Sequence, residues 1–327
     1  MAKRKRVVVI GGGTGSFTVL SGLKKYEDLD LTAVVSMADD GGSTGILRDE
    51  YGVLPPGDIR QCLVALSETD DVMRDLFNFR FSNGTLRGHN FGNIFISAIE
   101  KMTGDFNESL RSISRVLGVR GQVLPVTLDN IQLIAELKNG KRLLGQSAIA
   151  DCRTLGREIK KIYFNKVAKA NPAVLSAIKD ADLVVVGPGS FYSSLVPNFL
   201  VKGISEVLVK TKAKKVFICN LMNQFGQTDD FTAHDFIKEI EAFIEADTFH
   251  HVLYNTELPP ETLLKKYSDE GKPVLFDRTL SKRYDRFVGV NLIADKIPKS
   301  VRGDIIKRTL IRHDGDKLAK AIVSLLK

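Results

Sequence analysis

The sequence predicts an α/β protein built on a mostly parallel, doubly wound sheet, with helices on both faces and an inserted helical and β-hairpin region. Three observations carry that prediction. Short apolar, β-branched runs recur at 7–10, 183–186 and 216–220, the composition of strands buried on both faces of a parallel sheet. Two of them stop abruptly in glycine turns, Gly11-Gly12-Gly13-Thr14-Gly15 and Gly187-Pro188-Gly189-Ser190. The segments between strands carry apolar residues at helical spacing, as in 17–23, 94–99 and 173–181.

The first turn sets the functional expectation. In a strand, glycine loop and helix arrangement, the helix N-terminus aims free N–H groups and the positive end of its dipole into the loop. Glycine lets the backbone approach a guest closely, so the expected guest is a phosphate or diphosphate. Read as G-x-G-x-x-G, the loop has Gly11 and Gly13 but Ser16 in the third position, which departs from the dinucleotide fingerprint. A second strand over 31–36 leads to Asp39 and Asp40, an acidic doublet followed by glycines rather than a single ribose-binding carboxylate. These two can hold a Mg²⁺ ion or a ribose through their oxygens, or cap a helix.

Further along, Asp58 reads as the N-cap of a helix over 59–66, after the Pro56-Gly57 turn. Arg60 then falls in the first helical turn, where a cation is unfavourable; it is expected either to meet an anionic ligand or to pair with Asp49 or Glu50. A short amphipathic helix occupies 71–77. His89, Asn90 and Asn93 open the helix at 94–99, and His89 is read as a binding rather than an acid–base residue because no partner carboxylate accompanies it. Another helix covers 106–117. Asn139-Gly140 between 132–137 and 142–145 signals a hairpin, continued by a strand over 159–164, and places the insertion at approximately 121–165 of a single domain spanning 1–327.

Beyond Pro172 the alternation resumes. Gly187, Gly189 and Ser190 close the strand at 183–186, and Ser190, Ser193 and Ser194 lack nucleophile-elbow spacing, so their hydroxyls are read as phosphate ligands. A helix follows over 199–209. Asn220 and Asn223 follow the strand at 216–220, where amides can read base, sugar or carbonyl edges. A helix over 232–244 leaves His234 exposed. His250 and His251 precede a strand over 252–255, and as neighbours on a strand they point to opposite faces and share no metal. Later elements are expected at 261–267, 274–276, 288–293 and 304–312, with a closing helix at 317–326. The triplet Arg312-His313-Asp314 can reach the rim or cap that last helix.

Composition narrows the function classes. With 43% hydrophobic and 26% charged residues the chain is an ordinary globular one, and no apolar run is long enough to span a membrane. The net charge of +8 is spread along the chain without a basic stripe or an aromatic-interleaved patch, which favours attraction of phosphorylated metabolites over nucleic acid. Three cysteines, none in a C-x-x-C pair, fit a reducing cytoplasm.

Taken together, the Gly11–Gly15 turn, Asp39-Asp40-Gly41-Gly42-Ser43, Leu54-Pro55-Pro56-Gly57-Asp58-Ile59-Arg60, Gly88-His89-Asn90-Phe91-Gly92-Asn93, Gly187-Pro188-Gly189-Ser190 and Asn220-Leu221-Met222 resemble, in order, the CofD-like superfamily, and within it the YvcK-type gluconeogenesis factors. The resemblance covers nearly the whole chain. It implies a Rossmann-like core with a nucleotide held across the rim, an acidic pair at Asp39 and Asp40, a phosphate loop at 187–190, and UDP-sugar contacts at Tyr267 and Arg312. The superfamily's enzymes transfer a phospholactyl group from a nucleotide-activated donor to a deazaflavin with Mg²⁺. The YvcK branch is associated with gluconeogenic growth, cell shape and UDP-sugar binding. Met37-Ala38 differs from the transferases' approach to the acidic pair, which counts against their catalytic role.

Two functions follow as expectations. One is a cytoplasmic nucleotide-sugar-binding factor that couples metabolic state to envelope growth. The other is a transferase in which Mg²⁺ neutralises a diphosphate leaving group. The expected ligand is a UDP-sugar, GDP or an NAD-like nucleotide; no catalytic residue is assigned, a nicotinamide oxidoreductase is disfavoured by Ser16, and a homodimer is left open.

Overall fold

The computed structural model describes residues 4–280, 284–295 and 311–326. Seven strands form one parallel sheet: β1 (Lys5–Gly11), β2 (Leu29–Val35), β3 (Gln122–Pro125), and then, skipping the insertion, Leu183–Val186, Lys214–Ile218, His251–Asn255 and Phe287–Val290. The insertion supplies β4 (Leu133–Leu137), β5 (Arg142–Leu144) and β6 (Ile159–Phe164), an antiparallel sheet of order β5-β4-β6. The later strands of the large sheet are therefore β7 to β10, and its order is β10-β9-β8-β7-β1-β2-β3 with every pair parallel.

Local chemistry accounts for these strands. Val7 to Ile10 and Leu183 to Val186 are all buried, and β-branched side chains pack well on both faces of a covered sheet. Helices then cover those faces. The helix Gly13–Leu23 packs Val19, Leu20 and Leu23 into the core, and Pro56–Leu66 buries Ile59, Leu63 and Leu66 beside it. Each such side chain contributes roughly 1.5–3 kcal/mol when fully buried.

Strand β1 lies in the interior of the sheet, beside the central β7. From β1 the chain steps outward to β2 and β3, then returns to β7 on the other side of β1 and steps outward again. That reversal between β1 and β7 is a topological switch point, where loops from neighbouring strands leave in opposite directions and open a crevice. Val9 and Ile10 are in register with Val185 and Val186, and the Gly187 N–H donates to the Ile10 carbonyl at 3.0 Å. The two glycine turns thus leave the sheet side by side at the same edge.

Several expectations are corrected. The helix expected at 59–66 begins earlier, at Pro56, with Pro55 at the N-cap; proline at the first helical position suits a helix start, so Asp58 lies inside the first turn. The single helix expected at 199–209 is two, interrupted at Gly203 (φ 102°): a π-turn and helix over Phe191–Leu195 and Val196–Phe199, then Ile204–Lys210. Strand β3 carries no strong periodicity and is recognised only by its pairing with β2. Residues 274–276 form no strand, and Pro273 makes a lone bridge to Met222. His234 is partly buried, packed near Phe287 rather than exposed. The extended segment expected at 304–312 lies mostly outside the described residues.

Candidate functional site

At the switch point a cleft of about 560 Å³ opens, within the range of small-molecule sites. Thr14, Gly15 and Thr18 enter it from the first turn of the helix after β1. Pro188, Gly189 and Ser190 enter from the turn after β7, and Asn220 to Gln224 from the exit of β8. Tyr267, Glu270, Ile311, Arg312 and His313 close one side, and Ala150, Asp151 and Arg153 form an outer lip.

The glycines are required by contact and conformation. A Cβ on Gly15 would overlap the Pro188 carbonyl, so only glycine lets the β1 and β7 turns touch. Gly13 and Gly187 have φ of 57° and 83°, in the left-handed region that glycine adopts at little cost. The helix Gly13–Leu23 starts at Gly12, which has no side chain to cap it; the Asp58 carboxyl takes the Gly13 N–H, and Thr14 and Gly15 of the same first turn line the cleft.

Polar groups at the cleft are only partly satisfied. Asn220 donates to the Gly189 carbonyl at 3.0 Å and Asn223 to the Phe231 carbonyl at 3.1 Å, yet the carboxamide oxygen of each has no protein partner. A buried acceptor left this way is uncommon. His313 hydrogen-bonds the Cys219 carbonyl through Nε2 at 3.2 Å. Since a carbonyl only accepts, that nitrogen carries the proton; burial pushes the imidazole down to about 4, against the pull of the carbonyl, and the ring is neutral at pH 7.

A second group of polar residues gathers behind the Gly12–Gly13 turn. Asp58 lies against it and Asp39 against the neighbouring Gly57: a Cβ on Gly12 would lie 2.5 Å from Asp58 Oδ2, and one on Gly57 would lie 2.5 Å from Asp39 Oδ2 and 2.6 Å from Thr44 Oγ1. Burial, then the charge of Asp39, raise Asp58 to about 8, while Arg60 and the Gly13 N–H pull it down. Asp39 is also raised, chiefly by burial. Thr14 Oγ1 donates to Gln61 Oε1 at 3.3 Å, joining this group to the cleft through the glycine turn.

The predicted residues therefore divide. Thr14, Gly15, Gly189, Ser190, Asn220, Asn223, Tyr267 and Arg312 converge on the cleft, with Gly11, Gly12, Gly13 and Gly187 shaping its turns. The others do not line it. Arg60 meets neither Asp49 nor Glu50; its guanidinium bonds Asn93 Oδ1 at 3.0 Å, Asn78 Oδ1 at 2.7 Å and the Phe77 carbonyl at 3.3 Å, tying three helices together. Asn90 caps the helix Phe91–Thr103 through the Asn93 N–H, and His89 Nδ1 lies 3.3 Å from Ser43 Oγ. Asp40 turns away from Asp39 and accepts from the N–H groups of Gln146 and Ser147 at 3.0 and 2.8 Å. The adjacent doublet thus serves two different elements, although the charge of Asp40 still acts on Asp39, and the charge of Asp39 reaches Asp58. Its signal was present in the Pro55-Pro56-Gly57 run, since a proline-led helix start moves Asp58 off the cap. Of the triplet at 312–314, both readings hold: Arg312 and His313 line the cleft, and Asp314 caps the helix Gly315–Ser324.

Among the described residues, no group of three or more His, Cys, Asp or Glu side chains is placed to hold a metal ion, and no helix is long and apolar enough to cross a membrane. Cys62 and Cys219 are buried, with thiols raised by desolvation, which suits packing rather than nucleophilic chemistry.

Comparison with known proteins agrees with this fold. The family described as 2-phospho-L-lactate transferase CofD matches residues 7–297. The gluconeogenesis factor of Bacillus subtilis (strain 168) is 39% identical over 330 residues, covering 100% of both chains. That of Halalkalibacterium halodurans is 39% identical over 324 residues, covering 98% of this chain and 96% of its own. A crystal structure of a UPF0052-family protein from Bacillus halodurans superposes with a TM-score of 0.89 at 37% identity, covering 99% of this chain and 100% of that one.

Proposed function

The chain belongs to the CofD family, among the gluconeogenesis factors, and from that premise we propose that it is a cytoplasmic factor whose cleft binds a nucleotide sugar such as UDP-N-acetylglucosamine, linking gluconeogenic growth to envelope synthesis and cell shape. The observation that carries this reading is the convergence, at one switch point, of two glycine turns, a helix N-terminus and the carboxamide residues Asn220 and Asn223. Glycine turns and a helix N-terminus favour a diphosphate. Asn220 and Asn223 line the cleft, and carboxamides of this kind suit the edges of a pyrimidine and a sugar. Arg153 and Arg312 line the cleft beside Asp151 and Glu270, so cationic contacts are present within a lining of both signs. Calorimetric titration with UDP-N-acetylglucosamine, UDP, GDP and NAD tests it. Saturable binding strongest for the UDP-sugar supports the reading; no heat with any UDP compound refutes it.

A second reading, metal-assisted transfer from a nucleotide donor, is favoured by one observation, the Asp39–Asp58 pair. Two enclosed carboxylates held together, with the Thr44 hydroxyl beside Asp39, fit a hard divalent cation such as Mg²⁺. Asp39 and Asp58 would hold it, and its chemistry there would be neutralisation of diphosphate charge. The chain's own contribution is to orient the phosphates at Thr14, Gly15 and Ser190. Mg²⁺-dependent consumption of a nucleotide donor, lost in Asp58→Asn, would establish this reading, and binding without turnover would exclude it.

A further inference from the structure

Asp40 neighbours Asp39 in sequence but serves a different element. Its two carboxylate oxygens accept from Gln146 and Ser147, the first N–H groups of the helix Gln146–Ala150. The contact is built for: Gly145 has φ 93°, and a Cβ there would overlap Asp40 Oδ2, so no other residue admits the carboxylate. The segment so held supplies Ala150, Asp151 and Arg153 to the outer lip of the cleft. Its far end is tied to the exit loop of β8. Gln227 Nε2 donates to the Ala150 carbonyl at 2.7 Å, Gln224 Nε2 donates to the same carbonyl at 3.3 Å, and the Gly156 N–H donates to the Gly226 carbonyl at 2.8 Å.

From this we infer that Asp40 is a positioning residue: it suspends the lip from the loop that carries Asp39, so that a divalent cation between Asp39 and Asp58 tightens nucleotide-diphosphate binding in the cleft. The inference rests on the function proposed above and deepens it. The lip hangs between two loops that each serve the site, one bearing Asp39 and the other the amides. Asp39 is itself braced, its carboxylate accepting from the Gly41 N–H at 3.0 Å and its carbonyl from Arg48 at 2.8 Å. Ordering of Asp39 by a cation passes through one peptide unit to Asp40, and so to the cap that sets Arg153 over the cleft. Linkage is reciprocal, so a nucleotide in the cleft raises cation affinity by the same factor.

The test measures UDP-N-acetylglucosamine affinity in excess Mg²⁺ and in EDTA, with hydrogen exchange over 146–153 followed in ligand-free protein. In the wild-type chain Mg²⁺ should strengthen binding by about fivefold or more and slow exchange in the lip. Asp40→Ala and, separately, Gly145→Ala should abolish the Mg²⁺ enhancement and leave the lip exchanging fast in both conditions, while direct titration still detects Mg²⁺ at the acid pair. Asp40→Asn, which keeps one acceptor, should fall between. Survival of the full enhancement in both Asp40→Ala and Gly145→Ala overturns the inference. Failure of the nucleotide reading shows separately, as no UDP-sugar heat in the wild-type chain. In that case slowing of lip exchange by Mg²⁺ that Asp40→Ala removes still supports the coupling, and its absence rejects it.

Discussion

Gly15→Ala probes the contact on which the cleft depends. An added Cβ would sit 2.7 Å from the Pro188 carbonyl carbon and closer still to its oxygen. Ordinary carbon contacts start near 3.5–4.0 Å, so the β1 and β7 turns must part by about 1 Å. Overpacking of this kind costs roughly 1–3 kcal/mol of stability. Because the parting separates the two halves of the diphosphate cradle, UDP-N-acetylglucosamine affinity should also fall by about tenfold or more, equivalent to about 1.4 kcal/mol. Gly22→Ala is the matched control. It lies on the same helix, and its Cβ would sit 2.7 Å from the Gly315 carbonyl carbon, against the C-terminal helix and away from the cleft. Chemical denaturation should show comparable destabilisation of the two variants, and calorimetry should show lost affinity only in Gly15→Ala. Equal ligand affinity in both variants would refute the two-turn cradle.

Other consequences are independent of that contact. Asp58 has a folded value of about 8 against 3.8 in the unfolded chain, so the folded state binds the extra proton and this contribution to stability is complete below the unfolded value and lost as pH rises through about 8. Stability measured in EDTA should therefore decline with pH more steeply in the wild-type chain than in Asp58→Asn, and parallel curves would contradict the assignment. Arg60→Ala leaves Asn78 and Asn93 without their buried donor and should cost about 1–3 kcal/mol in denaturant, with nucleotide affinity retained; selective loss of affinity would return Arg60 to the binding site. Arg286 is 7% exposed in side chain and bridges Glu241 at 3.0 Å and Asp247 at 2.8 Å. Removing it leaves Glu241, itself raised by burial, with only the Thr248 and Phe249 N–H groups, and Arg286→Ala should destabilise by about 3–5 kcal/mol, while a change under about 1 kcal/mol would show that Glu241 simply takes up a proton.

The strands and turns at 7–15, 183–190 and 216–223 were legible because their signals are local. A short apolar β-branched run followed by glycine states both a buried strand and a close backbone approach. The hairpin around Asn139-Gly140 was legible for the same reason, and the sheet it starts is present as β4, β5 and β6. Strand β3 was not, since four residues acquire strand character only by pairing with β2. Nor was the break at Gly203, where apolar spacing continues through a backbone that turns left-handed.

Which residues exist at the rim was written in the chain; which of them meet was decided by the fold. Adjacent side chains such as Asp39 and Asp40 look paired in one dimension, yet Asp39 is held by the local Gly41 N–H and Thr44 while Asp40 finds its partners across the molecule, at the 145–147 turn. Arg60 and Asn93 carry the chemistry of an anion site but satisfy each other between helices, because a buried guanidinium takes the nearest acceptors. Local sequence determines backbone conformation and residue type. Side-chain partnership over long separations depends on how the helices cross and the sheet orders, and that is information only the tertiary structure holds.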